Sequence, residues 1–240
     1  GETDMALYTP IKGIFFDAGW TLFYPTTEHW LMPHKCAEYI DQHVFSAIPK
    51  DRKDMAFANA MKYLDDNHLI VTEEEELEQF KVFYSMLSFD LPELNLTERK
   101  IEDIARSKVY DMDNYCFYDD TASTLKALQS RYKLGIISDT WPSIKRILEY
   151  GGIYSFFEAK TFSSYLGTFK PDKLMYEHAL KQMNLPPEQT IFIDDGVENL
   201  AGAQKCGIQP VLITAKPNSE NSDRYPSIKK LSELLEILPN

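Results

Sequence analysis

Three short apolar runs in this chain stop abruptly on acidic or hydroxyl residues. Ile14-Phe15-Phe16 stops on Asp17, Gly135-Ile136-Ile137 on Ser138-Asp139, and Ile191-Phe192-Ile193 on Asp194-Asp195. Runs this short, apolar throughout, read as strands buried on both faces, which is the pattern of a parallel sheet covered by helices. After Tyr118 the spacing predicts a strict alternation. Helices are expected over 121–129, from Pro142 to Gly151-Gly152, over 171–183, over 197–206 and over 227–238, and strands over 133–138, within 156–162, over 190–193 and over 210–213. Strands alternating with helices imply parallel βαβ units, hence an α/β, doubly wound parallel sheet with helices on both faces.

The first strand, within 12–16, belongs to that sheet by character, but a long stretch separates it from the rest. From about 28 to 113 the pattern is helical and carries no convincing strand. Thr72 and Glu75 form a capping-box pattern ahead of Leu77, Phe80, Phe83 and Tyr84 on one side of a helix, and Thr97 stands ahead of periodic Ile101, Ile104 and Ala105. The Glu73–Glu76 run reads as a solvated helix start, favoured by the helix dipole. The expected division is a sheet core from 1–23 plus 117–240, with an inserted α-helical cap over 24–116.

Charge narrows the partners. With 25 basic and 37 acidic residues the net charge is −12, which argues against nucleic acid and anionic membranes as general partners. It leaves room for a small phosphorylated substrate, because one local cation overrides a distant field. No apolar run approaches the roughly 18 residues of a membrane span. No basic segment leading into an apolar one opens the given chain, and the three cysteines Cys36, Cys116 and Cys206 show no paired spacing. A reducing, cytoplasmic setting is the expectation, with a monomer or homodimer both open.

In an open α/β sheet, ligands bind outside the carboxyl ends of the strands. Asp17, Ser138-Asp139 and Asp194-Asp195 fall there, and Lys170 stands just ahead of a predicted helix. Singly, each has a plain structural use as a turn residue, a cap or a surface charge. Together they offer a nucleophile, a hydroxyl donor, a fixed cation and an acidic pair, in an order that lets them converge.

Those residues carry a resemblance. Phe15-Phe16-Asp17-Ala18-Gly19-Trp20-Thr21-Leu22, Ile136-Ile137-Ser138-Asp139, Lys170-Pro171-Asp172 and Ile191-Phe192-Ile193-Asp194-Asp195-Gly196-Val197-Glu198-Asn199 resemble the four motifs of the haloacid dehalogenase-like hydrolase superfamily, in subfamily I, whose helical C1 cap is inserted after the first motif. The resemblance covers about 11–23 and 117–214. It implies a Rossmann-like core and a Mg²⁺-dependent phosphatase acting through an aspartyl-phosphate on Asp17. The implied metal ligands are Asp17, the Gly19 carbonyl, Asp194 and Asp195. Ser138, Asp139, Lys170 and Trp20 would face the substrate, with Ser138 and Lys170 taking part in catalysis, and Asn199 would stand behind the metal ligands.

The first motif departs from the family pattern. The second acidic residue, which protonates the leaving alcohol, is replaced by Gly19. Loss of such an acid costs on the order of 10²- to 10⁴-fold. Three readings stay open: a phosphatase that is slow or takes acidic leaving groups such as acyl or aryl phosphates; a phosphonatase- or dehalogenase-like hydrolase; and a catalytically weak phosphometabolite-binding or regulatory protein. The Asp194-Asp195 pair speaks against metal-free dehalogenation. Lys53 and Lys62 are the cap lysines a phosphonatase reading would need. Glu28, His29 and His34 are candidate substitute acids, and Trp20 and Trp141 each stand where they could wall a pocket or simply pack.

Overall fold

The computed structural model describes residues 7, 10–219 and 221–238, so the expected ends of the core at 1 and 240 lie outside the described residues. Eight strands and eleven α-helices follow in chain order among them. The strands are β1 (Gly13–Phe16), β2 (Phe23–Pro25), β3 (Tyr115–Phe117), β4 (Lys133–Ser138), β5 (Ala159–Phe162), β6 (Thr190–Asp194), β7 (Gln209–Ile213) and β8 (Ser227–Ile228). The helices are α1 (Cys36–Tyr39), α2 (Gln42–Ala47), α3 (Lys50–Asp66), α4 (Glu73–Asp90), α5 (Glu98–Tyr110), α6 (Thr121–Gln129), α7 (Ile144–Tyr150), α8 (Ser163–Leu166), α9 (Lys173–Met183), α10 (Val197–Lys205) and α11 (Leu234–Ile237).

Six strands form one sheet in the order β5-β4-β1-β6-β7-β8, and each neighbouring pair runs parallel. This is the expected α/β Rossmann-like core. Its central strands are buried along their whole length, which is why they read as continuous apolar runs. One face packs Phe15, Ile137, Phe192 and Leu212 against Met175, Tyr176, Ala179, Leu200 and Ala203 of α9 and α10. Each fully buried large side chain contributes roughly 1.5–3 kcal/mol by leaving water. The C-terminal expectation needs correction: 227–238 is not one helix. Ser227–Ile228 pairs with β7 as a sixth strand, and a single 3₁₀ turn and short α11 follow. Two consecutive strand residues are too short for a period to show in sequence.

The chain divides into two compact units. Of the described residues, those within 1–24, 117–140 and 148–240 form the sheet unit, and 25–116 together with 141–147 form the helical unit. The last segment, placed in the core by its sequence position, clusters with the helices instead. Within the helical unit Thr72 and Glu75 make the capping box, and Thr97 caps α5 by accepting from Lys100 N. The Glu73–Glu76 run is not solvated throughout. Glu76 is fully buried, accepts from Ser143 N and Ser143 Oγ at 2.7 Å each, and pairs with Lys108 Nζ at 3.1 Å. That ammonium lies 4.2 Å from the Phe80 ring centroid and 4.3 Å from that of Trp141. Trp141 therefore packs in the helical unit's core. Among the described residues no helix is long and apolar enough to cross a membrane.

Candidate active site

β4, β1 and β6 are adjacent, and Phe16 of β1 stands level with Ile136 of β4 and Ile193 of β6. Their carboxyl ends therefore present Ser138, Asp17 and Asp194 side by side, at the strand spacing of about 4.8 Å. The order in which the chain lays down strands reverses about β1, and the crevice at such a reversal is where open α/β sheets bind ligands. Asp17 N still donates to Ile193 O at 2.9 Å, so the carboxylate begins where the ladder ends.

Lys170 reaches this point from the loop before α9. Its Nζ donates to Asp17 Oδ1 at 2.8 Å, Asp194 Oδ2 at 2.9 Å and Ile137 O at 3.2 Å, so all three ammonium hydrogens have acceptors. Lys170 and Ser138 are buried, Asp194 is fully so, and Asp17 is 9% exposed. The loop itself is braced: Lys170 N donates to Asp139 Oδ1 at 2.9 Å, and Asp172 caps α9 by accepting from Leu174 N. Asp139, expected beside the phosphate, thus holds the lysine's backbone. Behind the cluster, Gly196 N donates to Asp194 Oδ1 at 2.7 Å and Asn199 Nδ2 to Asp194 Oδ2 at 3.3 Å. A Cβ at Gly196 would stand 3.0 Å from Asn199 Nδ2 and 3.2 Å from Asp194 Oδ1, so the glycine keeps that approach open.

The electrostatics follow from three buried carboxylates around one ammonium. Burial, and then the charge of Asp194, push the Asp17 carboxyl well above the usual carboxylate range, with Lys170 pulling the other way. Asp195 is pushed up to about 6, chiefly by burial and next by Asp194. Burial disfavours the Lys170 charge, yet the combined attraction of Asp17, Asp194 and Asp139 outweighs it and holds the ammonium above its ordinary value. Asp17, Asp194 and Asp195 each bring one oxygen within 4.8 Å of the others. With all three ionised, three carboxylates against one ammonium leave two negative charges uncompensated, and an all-oxygen donor set suits a hard divalent cation, whose charge would favour the ionised forms.

Residues 11–207 match the model of the haloacid dehalogenase-like hydrolase family. The chain belongs to that family. As a hydrolase of this group it is 29% identical over 135 residues to a glyceraldehyde 3-phosphate phosphatase of Methanothermobacter thermautotrophicus, a match covering 50% of this chain and 58% of that protein. It is 24% identical over 121 residues to the pyrimidine 5'-nucleotidase YjjG of Escherichia coli, covering 48% and 54%. The chain thus spans little more than half the length of these curated relatives. In fold it is similar to a dehalogenase crystal structure, with a TM-score of 0.68 at 20% identity over 97% of this chain and 99% of that one. A haloacid dehalogenase-like phosphatase from Thermococcus onnurineus gives 0.62 at 18% identity over 95% and 98%.

The structure brings Asp17, Lys170, Asp194 and Asp195 together, with Ser138 at the neighbouring strand end. Gly19 lies in the turn after Asp17, which Ala18 O closes by accepting from Thr21 N and Leu22 N. The left-handed residue of that turn is Trp20, at φ 62°, while Gly19 is absent from the left-handed glycines 152, 167 and 207. The candidate substitute acids Glu28, His29 and His34 all fall in the helical unit, where His34 Nε2 is 3.1 Å from Asp111 Oδ2 and His29 Nδ1 accepts from Leu31 N. Lys62 pairs with Asp66, and Lys53 donates to Phe45 O. Two residues flanking the motifs contribute in ways that the sequence assigns to neither. Tyr176 OH donates to Asn199 O at 2.6 Å, tying α9 to α10. Gly202 lets α10 approach so closely that a Cβ there would lie 2.7 Å from Pro171 Cβ. A glycine inside a predicted helix was the available signal, since it costs up to about 1 kcal/mol unless packing requires it.

Proposed function

We propose that this chain is a Mg²⁺-dependent phosphatase of small phosphorylated metabolites, with Asp17 as the nucleophile. The observation that carries the reading is Lys170 Nζ, held at 2.8 Å from Asp17 and 2.9 Å from Asp194 at the sheet's carboxyl edge. A buried cation fixed there receives a phosphoryl group next to a carboxylate that can attack it. Asp17 forms a bond to phosphorus while the ester P–O bond breaks, the leaving oxygen takes that bond's electron pair and a proton from solvent, and water then cleaves the aspartyl-phosphate to phosphate and a proton and regenerates the carboxylate. Ser138 donates a hydrogen bond to a phosphoryl oxygen, and Lys170 balances charge as it spreads over the phosphoryl oxygens. Asp139 fixes the lysine through its backbone N–H. Asp17, the Gly19 carbonyl, Asp194 and Asp195 would hold the metal. When bound, Mg²⁺ neutralises phosphoryl charge and lets a dianion approach three carboxylates. The helical unit acts as a substrate-selecting cap, in a cytoplasmic protein.

The phosphatase activities in the relatives' names support this reading, and Gly19 favours a second one. The turn 18–22 carries no ionisable side chain, so a pocket that binds phosphometabolites with little turnover is the rival. Phosphate release from a phosphometabolite panel, with Mg²⁺ and with chelator, separates them. The expected result is turnover only with metal. Saturable binding without turnover selects the rival, and metal-independent halide release selects dehalogenation.

A further inference from the structure

β4 and β5 end level with each other, Ser138 standing opposite Phe162, so the loops that follow them leave the sheet side by side. The chain after β5 makes the single turn of α8 and then runs to Lys170. α8 ends on Gly167, at φ 71°, whose N–H donates to Ser163 O at 2.8 Å. At the start of this segment Ser163 Oγ accepts from Thr140 N at 2.7 Å and donates to Thr140 O at 3.2 Å. At its end Lys170 N donates to Asp139 Oδ1 at 2.9 Å, and Lys170 Nζ reaches back to Ile137 O of β4 at 3.2 Å. The segment 163–170 is thus fastened at both ends to consecutive residues, 139 and 140, of the loop after β4. Ser163 is fully buried, and its hydroxyl gives its proton and a lone pair to the same backbone unit. All of these residues belong to the sheet unit.

We infer that Ser163 is a positioning residue for Lys170: its hydroxyl locks the start of the loop whose end presents the ammonium to Asp17 and Asp194. The effect on turnover rests on the phosphatase reading, whereas the placement of the lysine rests on the hydrogen bonds alone. A loop held at one point pivots about it, and a second fixed point removes that freedom. Lys170 is a long, many-jointed side chain, so the place of its ammonium depends on where its backbone is held. The ammonium stands 2.8 Å from Asp17 and 2.9 Å from Asp194, and a displacement of about 1 Å at such a group can cost about 10²-fold in rate. Without the Ser163 hydroxyl the Asp139 contact is left to hold the loop, and the distance from ammonium to Asp17 is no longer fixed. Ser163 acts through Thr140 and Lys170 rather than on the substrate.

The test compares Ser163→Ala, Asp139→Ala and the double variant with the wild type, at a temperature well below every unfolding midpoint. With 4-nitrophenyl phosphate and Mg²⁺, Ser163→Ala should lower kcat about tenfold and leave KM within about twofold. The double variant should lose well short of the product of the two single losses, because both contacts serve one loop. A merely structural serine would lower the midpoint and leave the kcat of the folded protein unchanged. Labelling of Lys170 by acetic anhydride, read by mass spectrometry without substrate, measures the same placement independently of turnover. Buried Lys108 of the helical unit is the internal reference. Lys170 should label about tenfold faster in Ser163→Ala than in the wild type, with Lys108 unchanged. Should Ser163→Ala not fold, Ser163→Cys keeps the shape with a weaker donor and acceptor and carries the same expectations. A kcat within about twofold of wild type, losses that multiply in the double variant, unchanged Lys170 labelling, or equal acceleration at Lys108 overturns the positioning role. A wild type that releases no phosphate overturns the phosphatase reading instead, and the labelling then decides the role of Ser163 by itself.

Discussion

Lys170 is the residue on which the site's geometry turns. Its ammonium separates two buried carboxylates, and both acceptors lose their counter-charge if it is removed. Lys170→Met is therefore expected to lower turnover by about 10²–10³-fold and to cost about 3–5 kcal/mol of stability, read by steady-state kinetics and urea unfolding without metal. Asp194→Asn keeps the shape but removes a metal-binding charge. It should weaken Mg²⁺ binding at least about tenfold by calorimetry, and unchanged affinity would take Asp194 out of the metal set. At this scale the convergence of Asp17, Lys170 and the Asp194-Asp195 pair was legible in the order of the chain, because the carboxylates end apolar runs and the lysine stands just ahead of a helix. The braces were not. Asp139 and Lys170 are 31 positions apart, and the bond between a side-chain oxygen and a distant backbone N–H leaves no trace in residue order. Glu76 misled for the opposite reason: an acidic run at a helix start reads as solvated, and only Ser143 and Lys108, brought in from distant segments, account for its burial.

At the scale of elements, the loop that carries Lys170 is held by packing between α9 and α10. Gly202 sets their approach, with 2.7 Å to Pro171 Cβ and 3.1 Å to Pro171 O from a Cβ placed there. Neither a proline ring carbon nor a backbone carbonyl can yield as the far end of a flexible side chain does. Gly202→Ala should destabilise by about 1–3 kcal/mol and reduce turnover through Lys170 rather than through substrate contact. Denaturant midpoints and a kcat loss at near-constant KM would show this, while an unperturbed midpoint would mean that the helices slide apart freely. Elements with a clear period were readable: α6 and β4 fall where the alternation of helical and apolar segments puts them. The pairing of β8 was not, because two residues carry no period and parallel pairing depends on a distant neighbour. The clustering of 141–147 with the helices was equally hidden, since Trp141 and Ser143 are drawn there by side chains from α4 and α5.

For the molecule as a whole, acid stability and covalent chemistry are the two properties to measure. His68 is buried in the helical unit, and burial pushes its pKa down to about 4 from the ordinary 6.5. Between those values the unfolded chain binds a proton that the folded one does not, so this contribution is intact above about pH 6.5 and is lost as the pH falls toward 4. His68→Phe should therefore lose about 1–2 kcal/mol less stability than the wild type between pH 7 and pH 5, measured by urea unfolding. Equal losses would show that His68 is not a source of the acid sensitivity. The central claim is that Asp17, steadied by Lys170, becomes the covalent carrier of the phosphoryl group. Acid-quenched wild-type protein, mixed with 4-nitrophenyl phosphate and Mg²⁺ and digested, tests it by mass spectrometry of the peptide containing residue 17. The account predicts one phosphoryl group on Asp17 during turnover, and neither phosphorylation nor turnover in Asp17→Asn. Sustained phosphate release with that peptide unmodified, or near-normal turnover in Asp17→Asn, would contradict it.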